Sequence, residues 1–135
     1  MVIVLTILAI TTAMAAPRVS VLMRQQKVDR TTQIVASDIR AAFTSAARGR
    51  VPVRVNFTFA SRRYAITNRV TGDTIIQRNL SVGDLNVSQL AGSVATLDVF
   101  PSGIATSSDT ILIGDATTYR RRVAVTRVGA VRVLP

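Results

Sequence analysis

The sequence predicts an α+β fold, in which a long N-terminal helix packs on a small antiparallel β-rich domain. Three observations predict it. Residues 1–17 carry no charge and are mostly apolar, residues 28–47 repeat apolar side chains at helical spacing, and the period changes to two after Gly49. The expected boundaries are a helix over residues 1–48, with an apolar half (1–23) and an amphipathic half (24–48), and a β-rich domain over residues 49–135.

The apolar half of the predicted helix suits a lipid environment. The seven Val, Ile and Leu side chains of residues 1–17 each favour a bilayer by roughly 0.5 kcal/mol, which gives about 3 kcal/mol together. As far as Met23 the apolar half is interrupted only by Arg18, and it is about 35 Å long as a helix. The segment is therefore expected to lie in a membrane or in a filament core. The residues expected there are Val2, Ile3, Leu5, Ile7, Leu8, Ile10 and Pro17, the last as a kink or a change of environment.

The amphipathic half places apolar side chains on one stripe of the helix. Val28, Val35, Ile39, Ala42 and Ala46 recur at steps of seven, four, three and four. Nothing but the β-rich domain is available to cover this stripe, so the two must pack together. Arg30, Asp38, Arg40 and Arg48 are expected to fall mostly on the rest of the helix surface, and the helix–sheet contacts are expected at Val35, Ile39, Ala42 and Phe43.

Eight strand candidates follow Gly49. The clearest is 51–59, where Val and Phe alternate with polar residues, and isolated glycines mark turns between most of the candidates. The candidates are 51–59, 62–69, 74–80, 85–90, 94–100, 110–114, 119–128 and 130–134.

The composition excludes several kinds of chemistry. The chain of 135 residues has no His, Cys, Trp or Glu, so it cannot form a Ser–His–Asp triad, a Cys–His pair or a His/Cys zinc site. Its seven Asp residues are scattered and its glycines are isolated, which leaves neither a calcium loop nor a phosphate loop. The sequence therefore indicates a protein that is not an enzyme and has no cofactor and no metal.

The net charge of +10 is unevenly distributed. The middle of the β-rich domain is neutral, whereas the last 17 residues carry five arginines and no acid. One interpretation is a solvated strand end, with Arg121 on the same face as Val123. The other is a phosphate-binding patch for nucleic acid, without an aromatic platform for stacking bases. The residues of that patch are Arg120, Arg121, Arg122, Arg127 and Arg132.

The order of these features resembles type IV pilins and type II secretion pseudopilins. These proteins have an apolar helix with a proline near its end, an amphipathic continuation and a small β domain. QIVASDIRAAFTSAARGRVPVRVNF (33–57) looks like the minor-subunit branch called GspH/FimT. VFPSGIA (99–105) is similar to the family's Phe-Pro-x-Gly turn, and RRRVAVTRVGAVRV (120–133) to its closing hairpin. The resemblance implies that the predicted helix is of the pilin type.

The resemblance also implies a function, a location and partners. It implies a minor pilin or pseudopilin, a structural subunit of a type II secretion pseudopilus or a type IV pilus. Such a subunit is expected to cross the bacterial inner membrane once, with a periplasmic C-terminal domain, before it enters the filament. The implied partners are other pilin or pseudopilin subunits, inner-membrane lipid and the inner-membrane assembly platform. A second hypothesis is a DNA-uptake minor pilin, with DNA bound by the C-terminal arginines.

Two departures from the family keep a third hypothesis open. The family's basic leader, its Gly with a methylated first residue and its Glu are missing, and we expect them upstream of Met1. Ala130 stands where the closing motif often has Arg. The third hypothesis is an unrelated signal-anchored or secreted β domain, because Ala13-Met14-Ala15 fits a cleavage site. The cations after the apolar segment would moreover favour a cytoplasmic C-terminal domain.

Overall fold

The computed structural model describes the backbone of residues 2–135 and the side chains of residues 3, 4 and 18–135. It confirms the predicted fold class: one long helix, α1 (Val2–Gly49), precedes eight strands. Within the described residues, no helix combines the length and the hydropathy that crossing a bilayer requires. The strands are β1 (Val53–Thr58), β2 (Arg63–Asn68), β3 (Thr74–Asn79), β4 (Gln89–Ala91), β5 (Thr96–Val99), β6 (Asp109–Gly114), β7 (Arg120–Val125) and β8 (Val131–Leu134).

Of the residues expected in a membrane or filament core, only Ile3 has a described side chain, and it is exposed. The kink or change of environment expected at Pro17 therefore stays a prediction. The other side chains expected there lie outside the described residues: Val2, Leu5, Ile7, Leu8, Ile10 and Pro17.

The strands form two antiparallel sheets of four strands each. The first sheet has the order β3-β2-β1-β5 and the second the order β4-β6-β7-β8. The segment over 85–90, predicted to be a strand throughout, is a strand only at its end. A 3₁₀ turn occupies Gly83–Leu85, and strand pairing starts only at Gln89. Gly83 has a φ of 69° and accepts a hydrogen bond from the Asn86 amide at 3.3 Å. This local turn removes the first residues of the predicted strand from the ladder.

The apolar stripe of α1 lies against both sheets. Val35, Ile39 and Ala42 are buried, and α1 contacts β1 and β5 of the first sheet and β6 to β8 of the second. Since a sheet and a helix each hide one apolar surface by packing on the other, this contact forms the core of the protein.

Phe43 lies beside the stripe and is half-buried. Its ring packs on the β7–β8 turn, where a Cβ on Gly129 would meet it at 3.0 Å. Gly129 has a φ of 82°, and its amide donates to the Thr126 carbonyl at 3.1 Å. A glycine is required there for two reasons, the left-handed backbone and the close approach of the ring.

A tight turn at residues 100–104 connects the two sheets. The Phe100 amide donates to the Ile104 carbonyl at 2.9 Å, and Gly103, with a φ of 78°, closes the turn. The next residue, Ala105, donates its amide to the Arg127 carbonyl at 2.7 Å. The Phe-Pro-x-Gly segment thus positions a direct backbone link from the end of β5 to the β7–β8 turn.

The different burial of Ile39 and Phe43 predicts different costs of truncation. Ile39→Ala should destabilise the protein by about 2–5 kcal/mol, because it empties a fully buried position. Phe43→Ala should cost less, since part of the ring already contacts water. The measurement is urea unfolding of the full chain in a mild detergent, followed by far-UV circular dichroism. An Ile39→Ala midpoint equal to that of the unchanged protein would contradict the described packing.

Candidate functional site

Two carboxylates of α1 are bound by side chains of the two sheets. Asp29 and Asp38 are the only acidic residues in the helix. They are nine residues apart, which at 3.6 residues per turn places them on opposite sides of α1. Asp38 accepts hydrogen bonds from a tyrosine and an arginine of the first sheet, and Asp29 accepts them from an arginine of the second sheet and from the tyrosine just before β7. We call these two clusters the Asp38 clamp and the Asp29 clamp.

The Asp38 clamp is the more buried of the two. The Tyr64 hydroxyl of β2 donates to Asp38 Oδ2 at 2.6 Å, and Arg78 Nε of β3 donates to the same oxygen at 3.0 Å. Burial, and then the hydrogen bond to Asp38, raise the pKa of Tyr64. Asp38 lies beside the packed stripe, but it is buried rather than exposed to water. The residue is only 7% exposed, and its two partners make that burial tolerable.

The Asp29 clamp connects the helix to the second sheet. The Tyr119 hydroxyl lies 2.9 and 3.0 Å from the two carboxylate oxygens of Asp29, and Arg121 Nε donates to Oδ1 at 2.8 Å. The guanidinium of Arg121 also lies 5.3 Å from the centre of the Tyr119 ring. The hydrogen bond to Asp29 raises the pKa of Arg121. This clamp is more exposed to water than the other, so its ion pair contributes less to stability.

The five C-terminal arginines are divided by the structure. Arg121 shares the inner face of β7 with Val123 and is engaged by Asp29. Arg120 and Arg122 point the other way, and Arg132 of β8 lies opposite Ala124 on that same outer face. Arg127 lies apart, in the β7–β8 turn. In the described part of the chain, the side chains of these four exposed arginines make no hydrogen bond or ion pair.

The sheets do not cover the described part of the helix between Arg18 and Lys27. Val19, Val21, Leu22 and Met23 are each about half exposed, between 47% and 60%. They continue the uncharged segment that precedes Arg18. A contiguous exposed apolar surface of this kind is typical of a site for a partner or a membrane.

The remaining acidic residues have structural partners or stand alone. Asp98, on the outer face of the first sheet, takes two hydrogen bonds from Arg54 at 2.7 and 3.0 Å, and this interaction lowers the pKa of Asp98. Asp109 accepts from the Ser93 amide and hydroxyl. Among the described residues, no three His, Cys, Asp or Glu side chains come close enough to hold a metal ion.

Minor pilins and pseudopilins are among the solved structures with a similar architecture. The chain is similar to the type IV minor pilin FimU of Pseudomonas aeruginosa, with a TM-score of 0.68 at 12% identity over 84% of this chain and 92% of that one. It is also similar to the minor pseudopilin EpsH from the type 2 secretion system of Vibrio cholerae, with a TM-score of 0.66 at 19% identity over 80% and 96% of the two chains. No protein-family model and no curated protein matches the sequence. The chain therefore has the fold of these minor pilins.

The Asp38 clamp predicts that alkaline pH unfolds the protein through Tyr64. A tyrosine in the unfolded chain ionises near pH 10, whereas folded Tyr64 keeps its proton to higher pH. Above about pH 10 the folded state therefore binds more protons than the unfolded state, and stability falls as the pH rises. In a Tyr119→Phe variant Tyr64 is the sole tyrosine, so tyrosinate absorbance near 295 nm reports on it alone. Tyrosinate should appear together with the loss of circular dichroism. Its appearance near pH 10 in a protein that is still folded would contradict the clamp.

Proposed function

We propose that this chain is a minor pilin or pseudopilin, a structural subunit of a type II secretion pseudopilus or a type IV pilus. The observation that carries the proposal is the division of one continuous helix. From Val28 onward α1 is buried against two sheets, whereas before it the described apolar side chains are exposed. The likeness to FimU and EpsH supports the same reading.

The exposed half of the helix needs an apolar partner. The side chains from Val19 to Met23 continue an uncharged segment too long to be covered by so small a domain. Lipid covers them while the subunit waits in the bacterial inner membrane, with the β-rich domain in the periplasm. In a filament, the helices of neighbouring subunits replace the lipid, because protein side chains pack more closely than acyl chains. Other pilin or pseudopilin subunits and the inner-membrane assembly platform are the partners this function requires.

The proposed role is structural rather than enzymatic. In the described residues the buried acidic groups are engaged in holding the helix or the loops. None of them faces a cleft together with a nucleophile and a base, as catalysis would require.

A second candidate function is DNA binding during uptake, and the observation that favours it is the outer face of the second sheet. Arg120, Arg122 and Arg132 share this face, and its strands carry no acidic side chain on the same side. Three unpaired guanidinium groups on one surface suit the phosphates of a nucleic acid backbone. Arg121 does not contribute, because it is bound to Asp29.

The proposed role in membrane and filament predicts that a charge in the apolar half of the helix abolishes pilus assembly or type II secretion. Ile10→Arg should cost about 2.5–3.5 kcal/mol near the middle of an inserted helix. The measurement is rescue of pilus assembly or type II secretion in a deletion strain of the source bacterium, with the membrane fraction assayed in parallel. Val70→Arg is the matched control, because Val70 is an exposed apolar residue in a β-turn. Full rescue by Ile10→Arg would contradict the proposed function.

The DNA hypothesis predicts a specific salt dependence. Full chain in uncharged phosphatidylcholine discs should bind duplex DNA weakly, with a steep slope of log affinity against log salt. Arg120→Gln/Arg122→Gln/Arg132→Gln should reduce that slope by about 2–3, at roughly 0.9 per phosphate contact. Arg48→Gln/Arg50→Gln/Arg63→Gln removes the same charge elsewhere and should leave the slope nearly unchanged. Absence of binding at low salt, or an equal effect of both triple variants, would exclude this second function.

A further inference from the structure

A group of cations surrounds α1 where the helix leaves the β-rich domain. Arg18, Arg24, Lys27 and Arg30 are all exposed, and they extend from the end of the apolar half of the helix to the first turn that contacts the sheets. Within the described residues, none of their side chains forms a hydrogen bond or an ion pair. We call these four residues the basic collar. The two clamps and the outer sheet face do not use it.

The collar borders two clefts between the helix and the loops of the domain. The first cleft, of about 260 Å³, is lined by Lys27 and Arg30. The second, of about 220 Å³, is lined by Lys27 and Arg24. Each cleft contains one carboxylate, Asp84 in the first and Asp115 in the second. Partial burial opposes ionisation of Asp115, but hydrogen bonds from Thr117 and the charge of Arg24 lower its pKa overall. Four cations against two carboxylates leave the collar with an excess of positive charge.

The position of the collar along the helix matches the depth of lipid phosphates. Lys27 is four residues beyond Met23, which is about 6 Å along a helix. The polar layer on each side of a bilayer's hydrocarbon core is only about 5–7 Å thick. Long Arg and Lys side chains can bend along the helix to place their charges in that layer. An inserted apolar half would therefore bring the collar into contact with the headgroups.

We propose that the basic collar binds the phosphate groups of anionic phospholipids and thereby fixes the depth at which α1 leaves the membrane. This proposal rests on the proposed function, because only insertion of the apolar half brings the collar to the headgroups. Anionic lipid attracts each nearby Lys or Arg independently of sequence, so the unpaired collar needs no further partner to bind it. The domain would then sit directly on the membrane surface until the subunit is extracted.

The test uses a single tryptophan as a probe, because the natural chain has none. Leu22→Trp places it at the end of the apolar half, next to the collar. The full chain is reconstituted in equal mixtures of phosphatidylglycerol and phosphatidylcholine, with bromine on the acyl chains of one lipid or of the other. Brominated phosphatidylglycerol should quench the fluorescence about threefold more strongly than brominated phosphatidylcholine at low salt. The difference should disappear near 1 M salt, where the screening length falls to about 3 Å.

Two charge variants in the Leu22→Trp background separate the collar from the overall charge. Arg24→Gln/Lys27→Gln/Arg30→Gln should abolish the preference for phosphatidylglycerol. The matched variant Arg48→Gln/Arg50→Gln/Arg63→Gln loses the same charge at other positions and should retain the preference. Equal quenching by the two lipids in the unchanged collar, or an equal loss of the preference in both variants, would overturn the collar proposal. An acidic surface of a neighbouring subunit would then be the better partner for the collar. Absence of quenching by either lipid would instead refute insertion itself, and with it the proposed function.

Discussion

The structure depends on how a single helix is held by two sheets at once. Burial of an apolar stripe brings helix and sheets together, but it has no direction and leaves the rotation of the helix about its axis loosely defined. The Asp38 and Asp29 clamps are directional contacts that define this rotation. They flank the apolar stripe on its two sides, and each is bound by a different sheet. A rotation of α1 that shortened one clamp would lengthen the other, so the pair fixes the rotation of the helix.

Other contacts on the side of the helix that carries Asp29 reinforce this arrangement. Arg40 donates a hydrogen bond from Nη2 to the Val131 carbonyl of β8 at 2.9 Å, and the Phe43 ring lies on Gly129 in the adjoining turn. Both residues lie on the side of α1 that carries Asp29, facing the second sheet. The helix is therefore attached to the second sheet along several turns, from Asp29 to Phe43.

The fold was predictable from the sequence because its main signals are periodic. The change of period after Gly49 separates helix from strands, and Val35, Ile39 and Ala42 mark the buried stripe without any knowledge of their partners. The clamps were not predictable in the same way. A charged residue near an apolar stripe is ordinarily assigned to solvent, and Asp38 is buried only because Tyr64 and Arg78 come from strands 26 and 40 positions away. The sequence offered one local indication of the Asp29 clamp: Tyr119, the residue before β7, and Arg121 on β7 are two positions apart. The two side chains therefore point to the same side of the strand.

The clamps also decide which of the many cations are free for function. With 17 Lys and Arg against seven Asp, most cations must lack a carboxylate partner. The structure pairs the two carboxylates of α1, Asp38 and Asp29, with Arg78 and Arg121, and it pairs Asp98 with Arg54 on an outer face. Among the described residues, and besides scattered cations such as Arg48, Arg50 and Arg63, this assignment leaves two groups of cations without a carboxylate partner, the collar and the outer face of the second sheet. They lie on different parts of the molecule, one beside the apolar helix and one on the domain, so each can meet a polyanion without competing with the other. The fold thus separates the positive charges by role: the arginines that hold the helix are neutralised by its carboxylates, and two groups of the remaining cations lie on separate surfaces.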